Sequence, residues 1–123
     1  RMIGEYIKTA DWKAEKHVPV IECPGQVHAG APFVVTVAVG REIPHPNEPG
    51  HHIAWAALYF IPEGTSAAVE VARTDFAAHG ETVRTTPTFS ATIAIARPGT
   101  LYATAYCNLH GLWTSEHPVT LGA

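Results

Sequence analysis

The chain has 123 residues, 46% of them hydrophobic and 15% charged, with a formal net charge of −3. That length suits one compact domain with its own core, and the balance excludes a disordered, highly charged segment. A negative chain without a Lys/Arg cluster also lacks the basic surface that nucleic-acid binding requires.

The first seventeen residues, RMIGEYIKTADWKAEKH, leave room for a single helical turn and lack the apolar run of a secretory signal, so a cytoplasmic location is expected. A first short strand is predicted over Val18 to Glu22. From Ala31 to Val39, APFVVTVAV alternates Phe33, Val35, Val37 and Val39 against Val34, Thr36 and Ala38, which predicts a second strand. The connection REIPHPNEPG holds three prolines and a glycine in ten residues and excludes a regular element. HHIAWAALYF then resumes extended patterning from His51 to Phe60. Ala68 to Phe76, Thr86 to Ala96, Thr100 to Cys107 and His117 to Leu121 follow, separated by turns such as AHGE and RPGT. About seven short strands at this spacing predict an all-β fold, an immunoglobulin-like β-sandwich or barrel. No apolar run approaches the ~20 residues of a membrane-spanning helix. The chain reads as one domain over residues 1–123, with residues 1–14 as an N-terminal extension. Trp55, Trp113, Tyr59 and Phe60 are expected in the core.

Two cysteines, Cys23 and Cys107, are too few for the disulfide framework of a small secreted scaffold. Eight histidines are more informative: His17, His28, His45, His51, His52, His79, His110 and His117. His45 lies in the Pro-rich loop and His51 where that loop re-enters a strand. Cys107 and His110 lie where another strand runs out into a turn, and His17 precedes the first strand. Sandwich proteins gather their sites at such strand ends. His51 and His52 are adjacent in a strand and should face opposite ways, so only one of them serves a given site. Either a C-x-x-H pair or a single histidine is a weak signal. A thiolate with several imidazoles points to zinc, copper or iron rather than calcium or magnesium, which prefer oxygen ligands.

EKHVPVIE (Glu15 to Glu22), VGREIPHPNEPGHHIAWAALYF (Val39 to Phe60), AHG (Ala78 to Gly80) and YCNLHGLW (Tyr106 to Trp113) together resemble the superoxide reductases of the one-iron, neelaredoxin type. The likeness runs from about Asp11 to Trp113. It implies one iron per chain, cycling between Fe2+ and Fe3+, held by His17, His45, His51 and His110 with Cys107 as the axial thiolate. It also implies reduction of superoxide to hydrogen peroxide with one external electron and two protons, as an antioxidant enzyme. Lys16 would attract the anion and help supply protons, and Glu15 would occupy the sixth position in the ferric state. A donor such as rubredoxin and assembly into a homo-oligomer, commonly a tetramer, are further implications. The family's other type adds an N-terminal cysteine-rich domain with a second iron. No cysteine precedes Cys23 here, so that centre is not expected.

With Cys107 engaged, Cys23 is expected as a free thiol. His28, His52, His79 and His117 fall outside the set, with His79 expected in a structural hydrogen bond. Two rival readings remain. A cupredoxin-like electron carrier would use two histidines, a cysteine and an axial methionine, but the only methionine is Met2, far from the C-terminal loop. A structural-zinc sandwich would need four ligands where the motifs offer five.

Overall fold

The computed structural model describes residues 1–123. A 3-10 turn, Ile3–Tyr6, is followed by eight strands: β1 Pro19–Glu22, β2 Gln26–Val27, β3 Phe33–Val39, β4 Ile53–Pro62, β5 Val69–Asp75, β6 Thr88–Ile93, β7 Gly99–Cys107 and β8 Gly111–Leu121. They form a three-stranded sheet, β1-β3-β6, and a five-stranded sheet, β2-β8-β7-β4-β5. All pairings are antiparallel except β2 with β8. No helix is long and apolar enough to cross a membrane.

Alternation explains the core. Val35, Val37 and Val39 of β3 face Ala56, Leu58 and Phe60 of β4 and Leu101, Ala103, Ala105 and Cys107 of β7 across the space between the sheets, in one buried cluster. Leu58 and Leu101 have no exposed surface, so truncating either to alanine should cost about 2–5 kcal/mol.

The differences from expectation have local causes. Eight strands replace about seven because β2 is two residues long, below the length at which alternation can be read. β8 begins at Gly111 rather than His117, since Thr114, Ser115 and Glu116 lie along a sheet face that is not fully buried and hide the period. Phe60 and Trp113 are buried as expected, whereas Trp55 and Tyr59 are half-buried on the outer face of the larger sheet, opposite Tyr106 and Tyr102. There Trp55 receives the Arg73 guanidinium 4.2 Å above its ring.

Register decides which loops meet. Pro19 pairs with Val39, and Ile53 pairs with Cys107. The entry to β1, the loop from β3 to β4 and the turn from β7 to β8 are therefore brought to one end of the sandwich. An irregularity between Ile53 and Trp55 inserts one extra residue into β4 at that end, a bulge of the kind that bends a strand and re-aims its neighbours.

Candidate metal centre

Cys107 is the last of the inward-facing residues of β7, and strand parity carries its sulfur into the core with no exposed surface. The chain then turns through Asn108, Leu109 and His110 to Gly111, whose φ of +81° is a conformation that glycine adopts without strain. This tight return brings the His110 backbone N–H to donate to Cys107 Sγ at 3.4 Å, and sets His110 Nδ1 3.7 Å from the same sulfur.

His45 is placed by another glycine. Gly40 ends β3 with φ +77°, and a Cβ there would lie 2.6 Å from the His45 backbone nitrogen. Only a residue without a side chain lets the Pro-rich loop fold back this closely. His17 is carried in by the segment before β1 and His51 by the segment before β4.

The four imidazoles form a closed circuit. Ring centroids are 4.8 Å apart for His17 and His45, 4.7 Å for His45 and His51, 5.1 Å for His51 and His110, and 4.9 Å for His110 and His17, each pair edge to face. His17 and His51, on a diagonal, are 6.4 Å apart. Donor atoms of His17, His45, His51 and Cys107 all lie within 4.8 Å of one another. His110 joins through Nδ1, 3.2 Å from His17 Nε2, close to the ~3 Å separating two nitrogens bound at right angles to one ion.

Hydrogen bonding leaves the right nitrogens free. His17 Nδ1–H donates to Glu15 Oε1 at 2.6 Å and His45 Nδ1–H donates to the Pro46 carbonyl at 2.7 Å, so each ring keeps an Nε2 lone pair. The Nε2 atoms of His45 and His51 are buried without any hydrogen-bond partner. Orphaned buried polar atoms are costly in a protein interior, and an ion would satisfy both at once. Burial lowers the pKa of His45 to about 4, opposed in part by the hydrogen bond to the Pro46 carbonyl and aided by smaller contributions from His17, His51 and Lys16. His51 is lowered too, first by burial and then by His110. Both rings are thus held neutral, the form that binds metal. The donor set, one thiolate and imidazoles, fits iron, copper or zinc.

Glu15 and Lys16 flank this group, both half-buried. The bond from His17 holds the Glu15 carboxyl below its usual range. His17 is stacked on its other side against Trp113, centroids 4.8 Å apart and planes within 13°. Trp113, expected only as core, is thus part of the wall of the site, a role its sequence neighbours do not signal.

The other histidines lie elsewhere. His52 stacks on His79 at 3.5 Å instead of joining the circuit; β4 begins at Ile53, so His51 and His52 precede the strand in which they were expected. His79 Nδ1–H donates to Asn47 Oδ1 at 2.7 Å, the structural hydrogen bond expected of it. His28 is exposed, and His117 stands 3.8 Å from Cys23, which is a free thiol. Met2 is 77% exposed, so no methionine serves as an axial ligand and the cupredoxin reading loses its fourth donor.

The family model described as Desulfoferrodoxin matches residues 9–116. Neelaredoxin of Megalodesulfovibrio gigas is 46% identical over 95% of this chain and 96% of its own length. The superoxide reductase of Pyrococcus furiosus is 46% identical over 94% of this chain and 97% of its own. Among solved structures, the reduced form of superoxide reductase (neelaredoxin) from Archaeoglobus fulgidus superimposes with a TM-score of 0.86 at 45% identity, covering 94% of this chain and 99% of that one.

Proposed function

The chain belongs to the desulfoferrodoxin family and is a superoxide reductase with an iron cofactor; from that premise we propose that His17, His45, His51, His110 and Cys107 hold the iron and that Lys16 and Glu15 serve the reaction beside it. What supports this ligand set is the closed circuit of four imidazoles around orphaned nitrogens, with a buried sulfur within bonding range of the same centre. When bound, iron supplies a one-electron couple, so that superoxide, one electron and two protons become hydrogen peroxide. The five side chains would hold the ion within reach of the substrate.

The side chains divide the remaining work. Glu15 Oε1 accepts the His17 Nδ1 proton and holds that ring in one tautomer, as carboxylates behind metal-bound histidines do. Because this bond engages the carboxylate, service as a sixth ligand would require Glu15 to release it first. Lys16 acts on the substrate. Its ammonium contributes to the lowered pKa of both His45 and His51, as a cation in the neighbourhood of those rings does. A chain of net charge −3 offers no favourable global steering to an anion, so this local charge draws superoxide in and feeds protons through water. Exposed Leu109 and His110 form the solvent-facing rim.

Three finer points belong to the same proposal. The electron comes from a separate donor, such as a rubredoxin, as the family resemblance implies. Two unpaired thiols, Cys23 and Cys107, suit a reducing compartment such as the cytoplasm. Assembly into a homo-oligomer rests on the family alone.

Stopped-flow mixing of the reduced, iron-quantified protein with superoxide tests the reading. One peroxide per superoxide lost is expected. One peroxide per two superoxides would mean dismutation, and protein holding one zinc and consuming none would favour the structural-zinc account.

A further inference from the structure

Between the two proposed ligands of the C-N-L-H segment stands a residue outside the ligand set, Asn108, and its contacts run to the other ligand loop. Its side-chain Oδ1 accepts the His52 backbone N–H at 2.8 Å, and its Nδ2 donates to the Gly50 carbonyl at 3.1 Å. Its own backbone N–H donates to the His52 carbonyl at 3.1 Å. The three bonds grip the residues immediately before and after His51. On the far side, Glu48 and His51 exchange a pair of backbone bonds of 3.0 and 3.1 Å that close the turn.

We propose that Asn108 is a positioning residue that sets the separation of Cys107 Sγ from His51 Nε2, by stapling the turn after β7 to the loop before β4. Cys107 is one residue before Asn108, and His51 lies between the two residues that Asn108 holds. The β4-β7 ladder is irregular between Ile53 and Trp55 and ends at the pair Ile53–Cys107, and the Asn108 bonds carry the contact between the two segments beyond that pair. An amide is the side chain suited to the task. It must accept from one backbone group and donate to another through two separate atoms, whereas an ionised carboxylate has no donor and a Ser or Thr hydroxyl has a single oxygen.

The inference rests on the ligand set proposed above, and cobalt(II) separates the two. Titrated against a competing chelator, the wild-type protein should bind Co2+ with a thiolate charge-transfer band; no such band would sink the ligand set itself. Asn108→Ala should raise the Co2+ dissociation constant on the order of 10- to 100-fold and displace that band, as loss of a supporting contact does. Thr36→Val, which removes a 2.7 Å bond to Ser90 in the other sheet, should leave both unchanged. Asn108→Asp keeps the volume and the acceptor but sets a carboxylate oxygen against the Gly50 carbonyl, and should weaken Co2+ binding even if the alanine variant does not fold. Wild-type affinity and spectrum in a folded Asn108→Ala or Asn108→Asp variant would overturn the staple while leaving the ligand set standing.

Discussion

Trp113 lies flat against His17, the two ring centroids 4.8 Å apart, with the Lys8 ammonium 5.6 Å from the indole centroid. The segment carrying Lys8 is itself tied to β8: Lys8 N–H donates to the Leu112 carbonyl, and Thr114 N–H donates to the Lys8 carbonyl. Residues 1–14 are therefore docked in part, and they cover a side chain that braces a proposed ligand. Trp113→Ala should destabilise the fold by about 3–5 kcal/mol and speed iron loss to a chelator, with Trp113→Phe retaining most of both. Urea unfolding and the rate of chelator capture measure the two effects. Iron retention that is unchanged in Trp113→Ala would show that the stack does not brace His17.

Cys107 is buried in the inner row of β7, so Cys107→Ser tests the sulfur with little change in volume. The variant should lose the thiolate charge-transfer absorption of the oxidised protein, and superoxide turnover should fall on the order of 100-fold or more. Absorption spectra and stopped-flow decay read both. A retained band would remove Cys107 from the ligand set.

Lys16 is the only lysine adjacent in sequence to a proposed ligand. Lys16→Ala should slow the second-order reaction with superoxide roughly 10-fold at low ionic strength, the difference narrowing as salt rises. Equal salt dependence in the two proteins would reject local steering.

His45 links pH to the stability of the metal-free protein. Burial places its folded pKa at about 4, below the 6.5 of an unperturbed histidine. The unfolded chain therefore binds the proton more readily, so the contribution of His45 is full above pH 6.5 and is lost as pH falls towards 4. In the metal-free protein, the His45 ring resonances should titrate near pH 4. The urea midpoint of wild type should fall between pH 6.5 and 4 more steeply than that of His45→Asn. A midpoint near 6.5 in the ring titration would contradict the burial argument.

Much of this molecule is written locally. The alternation of β3 and β7 follows from the two-residue period of a strand, which sends Val35, Val37 and Val39 inward wherever the strand is placed. The choice of metal class also follows from residue type, because thiolate and imidazole are soft or borderline donors whatever their partners. The motifs themselves were sufficient to indicate the family.

Tertiary structure decided what spacing could not. His17 and His110 are ninety-three residues apart yet hold nitrogens 3.2 Å apart, because β1 pairs with β3 while β7 pairs with β4 and the two sheets pack face to face. No local pattern encodes that approach, nor the stacking of Trp113 on His17, nor the reach of Asn108 to Gly50 and His52. Side-chain period is a property of one strand, whereas a site of this kind depends on the register between strands, which is selected by burial of the whole core.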